Sequence, residues 1–75
     1  MLNFDDLLKK GKTLLESGDY EKALSFFEQA LLMKQNNAEV WNFKGVTLRS
    51  MGRYNEALEC FNKSLEIDPK DKTAS

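Results

Sequence analysis

Residues 10–31, KGKTLLESGDYEKALSFFEQAL, return 34 positions later as residues 44–65, KGVTLRSMGRYNEALECFNKSL. Within these two stretches ten pairs are identical: Lys10/Lys44, Gly11/Gly45, Thr13/Thr47, Leu14/Leu48, Gly18/Gly52, Tyr20/Tyr54, Ala23/Ala57, Leu24/Leu58, Phe27/Phe61 and Leu31/Leu65. Asp5/Glu39, Leu7/Trp41, Ala30/Ser64 and Met33/Ile67 match conservatively. Self-similarity at a fixed period marks a repeat architecture, in which each unit buries its apolar face against a neighbour. Most matched positions are apolar or glycine, which is where packing and turns are specified.

Each unit reads as two helices. Leu7, Leu8, Gly11, Leu14 and Leu15 recur at helical spacing, and Gly18 interrupts them. Glycine tolerates the left-handed conformation that closes many helices. Asp19 is expected to cap the next helix, whose stripe is Ala23, Leu24, Phe27, Ala30 and Leu31. Gln35, Asn36 and Asn37 form the turn between units, with Asn36 as the expected cap and Glu39 reaching back to it. The second unit repeats the pattern with Trp41, Gly45 and Leu48, a stop at Gly52, then Ala57, Leu58, Phe61, Ser64 and Leu65. Asp68–Pro69 ends its last helix, because proline lacks the amide N–H and disfavours helix at the residue before it. Close helix crossing is expected where Gly11 faces Ala23 and Gly45 faces Ala57. Ala30 and Ser64 are expected to be small because a neighbouring unit presses there.

Bulk composition removes several function classes. Seventy-five residues make one small domain. Cores of that size often need a disulfide, a metal or a partner. A single cysteine, Cys60, forms no internal disulfide, and with no histidine the usual zinc sets cannot be assembled. A partner is the support that remains. Eleven Lys plus Arg balance twelve Asp plus Glu, so there is no basic field to hold nucleic acid. Lys9, Lys10 and Lys12 are flanked by Asp5, Asp6 and Glu16, as on a solvated helix face. No apolar run reaches the roughly 18 residues that span a bilayer. Acidic Asp5 and Asp6 near the N-terminus do not fit a signal peptide. One free cysteine fits a reducing compartment, and the expected location is cytoplasmic.

Catalytic chemistry has no visible seat. Cys60 has no histidine to activate it. The carboxylates scatter over helix faces, with no isolated pair for acid–base work. Gly11-Lys12-Thr13 matches the tail of a phosphate loop, but Asp6 stands where that loop needs its first glycine. Gly11 is also mid-helix. The reading is non-enzymatic, with no metal and no cofactor.

The repeat resembles the tetratricopeptide repeat. The residues that carry the resemblance are Trp41, Gly45, Leu48, Tyr54, Ala57, Phe61, Ser64 and Pro69 in the second unit, and Leu7, Gly11, Leu14, Tyr20, Ala23, Phe27 and Ala30 in the first. The chain departs from that pattern at Lys10 and Lys44, where the family has an aliphatic residue; their stems can still lie on apolar surface. Gln35 replaces the closing proline of the first unit. The resemblance implies an all-α, right-handed superhelical repeat of two helix–turn–helix units and four helices. Its expected divisions are residues 4–37, residues 38–71 and a polar tail at 72–75.

The resemblance further implies a concave groove lined by the first helix of each unit. Here that places Leu8, Lys12, Leu15, Asn42, Phe43, Val46 and Arg49 as the residues that bind a protein or peptide segment. Some relatives clamp a partner's C-terminal carboxylate, but the matching slots hold Leu8, Lys12 and Phe43, so that specificity is not expected. Phe43 and Val46 lie off the core stripe. Two placements fit Phe43: a floor for partner side chains, or a fold back against the first unit near Leu15.

By period, residues 72–75 align with 38–41, the start of a first helix. The last helix is therefore expected to leave Leu58, Phe61 and Leu65 uncovered, and such patches mark interfaces. Two explanations stay open: a piece of a longer array, or a homo-oligomer that covers the flank by self-association, with helix exchange across Gln35–Asn37 as one route.

Overall fold

The computed structural model describes residues 2–69. Four α-helices follow one another: α1 Phe4–Ser17, α2 Tyr20–Met33, α3 Ala38–Ser50 and α4 Tyr54–Ile67. The described residues contain no strand. The chain is the expected pair of helix–turn–helix units. The expected tail at 72–75 lies outside the described residues.

Both hairpin turns use the same glycine device. Gly18 and Gly52 sit at φ of 87° and 80°, a conformation that costs a side-chain-bearing residue. The amide after each glycine donates back across the turn, Asp19 N–H to the Leu14 carbonyl and Arg53 N–H to the Leu48 carbonyl, both at 2.9 Å. This closes the outgoing helix in the Schellman manner.

The caps differ from expectation. Asp19 holds the N-cap position of α2 but makes no side-chain cap bond; its carboxylate lies 3.8 Å from Lys22 Nζ. Its period mate is Arg53, with nearly the same backbone angles and no acceptor to offer. The glycine bonds, common to both turns, thus replace a side-chain cap. The cap of α3 is Asn37 rather than Asn36: its Oδ1 accepts the Val40 N–H at 3.1 Å. Because α3 begins at Ala38, Glu39 falls one place short of the capping-box position and pairs with Lys12 instead. A full capping box does occur, at Asn3 and Asp6 ahead of α1.

Within each repeat a phenylalanine ring lies on the bare backbone of a glycine. A methyl group on Gly11 would come within 2.5 Å of the Phe27 ring, and one on Gly45 within 2.7 Å of the Phe61 ring. The nearest side chains to these glycines are therefore the rings of Phe27 and Phe61. Ser64 is buried although no described helix lies beyond α4, because its hydroxyl donates to the Ala38 carbonyl at 2.9 Å in its own repeat. Its small size serves the α3–α4 crossing, not a neighbouring unit.

The core forms two clusters. The first gathers Phe4, Leu7, Leu8, Ala23, Phe27, Ala30, Leu31 and Val40. The second gathers Leu24, Leu48, Ala57 and Cys60. Each contains residues from both repeats, so the joint between repeats is itself core. Trp41 packs against both clusters, and its indole N–H donates to the Gln35 carbonyl at 2.8 Å. That bond anchors the turn from which the closing proline is missing.

Candidate interaction surfaces

Two stripes run along α1 and α3. Leu8, Lys12 and Leu15 follow i, i+4, i+7 spacing on α1, and their period mates Asn42, Val46 and Arg49 do the same on α3. On a helix that spacing puts each set on one face. The stripes are tied at their centre by Lys12, whose ammonium lies 3.4 Å from the Glu39 carboxylate and 4.9 Å from the Phe43 ring centroid.

The seven groove residues expected from the sequence do not share one environment. Leu8 is buried in the first cluster and offers almost no surface. Phe43 folds back onto the first repeat, as one of the two placements anticipated, but its contact is Phe27: the rings stack with centroids 5.7 Å apart and planes 15° apart. It is half-buried, with Lys12 over the ring. Lys12, Leu15, Asn42 and Val46 are half-buried, and Arg49 is exposed. The Arg49 guanidinium lies 5.7 Å from the Phe61 centroid. The Asn42 amide makes no hydrogen bond to any described residue. A half-buried amide without an internal partner has both donor and acceptor capacity to give to another chain.

The α4 flank is the second surface. Leu58 is 58% exposed and Leu65 42%. Phe61 is half-buried, one side held by Gly45 and the other reached by Arg49. The two leucines are thus open as expected, while the phenylalanine is already partly engaged within its repeat.

A third surface was not anticipated. A cleft of about 610 Å³ at the outer side of α1 and α2 is lined by Lys9, Lys10, Thr13, Leu14, Lys22 and Phe26. The basic cluster at residues 9–12, read from the sequence as a solvated face, in part borders this apolar floor. The signal was available, since Thr13, Leu14 and Phe26 are the period mates of Thr47, Leu48 and Cys60, which are buried.

Charge and reactivity are quiet elsewhere. Burial pushes the Cys60 thiol above its ordinary value, with Lys44 only partly offsetting it. A buried neutral thiol is a packing group, not a nucleophile. Arg53 and Glu56 form a two-point pair at 2.7 and 2.9 Å. That hydrogen-bonded contact lowers the Glu56 carboxyl and raises the Arg53 guanidinium relative to their ordinary values. The described residues hold no cluster of three or more metal-ligating side chains and no helix long and apolar enough to cross a membrane.

Comparison with known proteins agrees with this geometry. Residues 4–37 and residues 38–71 each match a model described as the tetratricopeptide repeat. An uncharacterised protein of Methanocaldococcus jannaschii is 40% identical over 60 residues, covering 80% of this chain and 70% of that protein. The tetratricopeptide repeat protein 36 homolog of Drosophila melanogaster is 40% identical over 68 residues, covering 91% of this chain and 36% of that protein. The peroxisomal targeting signal receptor of Saccharomyces cerevisiae is 31% identical over 51 residues, 68% of this chain but 8% of the receptor. The chain thus matches much of a small archaeal relative and only short parts of larger ones.

Proposed function

Because the chain belongs to the tetratricopeptide repeat family, we propose that it is a protein-interaction module whose α1–α3 face docks an extended segment of a partner protein. The observation that carries this reading is the Asn42 amide, half-buried beside Val46 and uncommitted to any described residue. An amide of that kind bonds a peptide backbone, while Val46 and Leu15 receive apolar side chains and Lys12 and Arg49 set the charge preference. Phe43 supports the floor from beneath through its stack on Phe27. The yeast relative is by its name a receptor for a targeting signal, which supports a protein segment as the class of partner. Binding rather than catalysis, and residence in the cytoplasm, where a free buried cysteine stays reduced, belong to the same proposal.

The test begins with a displayed library of random peptides panned on the chain. A selected peptide is then titrated against the parent, Asn42→Ala and Val46→Glu, with shift mapping by NMR. Perturbations along α1 and α3 and at least a tenfold loss in the variants are expected. Unchanged affinity in both variants removes this face from the account.

A second reading is favoured by a separate observation. Leu58 and Leu65 are large, apolar and open on one side of α4. This supports self-association through that helix, whether or not the α1–α3 face binds a peptide.

A further inference from the structure

We propose that copies of this chain join head to tail, α4 of one copy seating in the α1–α2 cleft of the next. This rests on the second reading above, self-association through α4, and adds the surface that receives it.

The joint between the repeats supplies the template. There α2 lies against α3, and its Leu24 joins Leu48, Ala57 and Cys60 in one cluster. Glu28 pairs with Lys44 at 3.7 Å, and Leu31 and Leu32 border the same cleft as Trp41 and Lys44. A shift of 34 residues carries every donor in that joint onto α4 and every acceptor onto α1 and α2. Leu24, Phe27 and Leu31 become Leu58, Phe61 and Leu65. Lys44, Thr47, Leu48, Ala57 and Cys60 become Lys10, Thr13, Leu14, Ala23 and Phe26. The shift keeps the series Leu58, Phe61 and Leu65 on one side and Leu14, Ala23 and Phe26 on the other, while Val40, Phe43 and Leu32 of the joint become Asp6, Lys9 and Glu66.

Burial of the period mates points the same way. Leu24 and Leu31 are buried, and their mates Leu58 and Leu65 are open. Thr47 is fully buried, and Thr13 is exposed. Leu48 and Cys60 are buried, and Leu14 and Phe26 are half-buried. The cleft over α1 and α2 is the internal joint with its inserted helix taken away. What it lacks is an amphipathic helix with leucine, phenylalanine and leucine at i, i+3 and i+7, and α4 carries that series.

Charge favours the same pairing. The acceptor rim is basic, with Lys9, Lys10 and Lys22. On α4 the Glu28 position is Asn62, so the Lys44–Glu28 pair has no direct copy, but Glu66 follows one turn later at the Leu32 position. Since Leu32 and Lys44 line one cleft, the shift puts Glu66 and Lys10 on the same rim. Unlike surfaces that meet at every joint do not close on themselves in a dimer, so growth continues unless a ring forms.

Sedimentation velocity on the whole 75-residue chain over a range of concentrations tests this, using Leu58→Arg on the α4 face and Thr13→Arg in the cleft. Both sites are exposed, and circular dichroism checks that the variants are folded. The parent is expected to grow past dimer with concentration. Each variant alone is expected to stay monomeric, and their equimolar mixture to form a 1:1 dimer that grows no further, since one good face of each kind remains. If Leu58→Arg is monomeric but Thr13→Arg still associates, self-association through α4 stands and the head-to-tail arrangement falls. A parent that stays monomeric at millimolar concentration overturns both.

Discussion

Phe27 and Phe61 hold the same position in the two repeats and live in different surroundings. Each lies across a glycine of its own repeat. Phe27 is fully buried, because the next repeat lays Phe43 on its other side. Phe61 has no such stacked ring among the described residues; the Arg49 guanidinium lies near it, and it stays half-buried. The pairing of Phe27 with Gly11, repeated as Phe61 with Gly45, shows what one repeat does alone. The difference between the two shows what a neighbour adds. The joint adds to the burial that each repeat makes by itself, as expected when stability is a sum of unit and nearest-neighbour terms.

Substituting the two rings gives the largest expected contrast. Phe27→Ala should cost about 3–5 kcal/mol, the range for emptying a packed aromatic site. That approaches the total of about 5 kcal/mol available to a marginal small domain, so this variant should be largely unfolded. Phe61→Ala should cost about 1–2 kcal/mol, since part of that ring is already in water. Urea unfolding followed by circular dichroism reads both, and equal midpoints would break the comparison.

The glycines beneath the rings should show a smaller contrast of the same sign. Alanine in a helix interior gains about 1 kcal/mol over glycine, while overpacking costs about 1–3 kcal/mol. At Gly11 the ring above is clamped by Phe43 and cannot retreat, so Gly11→Ala should be net destabilising. At Gly45 the half-open Phe61 ring can shift, and Gly45→Ala should be close to neutral. The difference in thermal midpoint between the two variants measures how firmly the second repeat holds the first repeat's ring.

What could be read from the sequence follows the same division. The period, the four helices and the glycine turns were legible because spacing and turn chemistry are local. The open leucines of α4 were legible too, since the period pairs them with Leu24 and Leu31, which α3 and α4 help to cover. The caps were misplaced by the detail that α3 begins one residue late, and by a turn at Asp19 that needs no carboxylate. The ring above each glycine was not legible, because spacing names the face of a helix but not which neighbour's ring will cross it. Phe43 had two placements in the sequence, and only the position of Phe27 decides between them. The cleft around Leu14 and Phe26 was not legible as a cleft, because both residues also read as ordinary core positions of an amphipathic helix.

Native-state amide exchange in dilute solution tests most directly whether the joint holds this chain together. If it does, protection is highest in α2 and α3, which meet there, and lower in α1 and α4, which each face solvent on one side. Equal protection in all four helices, or an α3–α4 pair that outlasts α2, would contradict it, because either pattern would mean that each repeat is stable by itself.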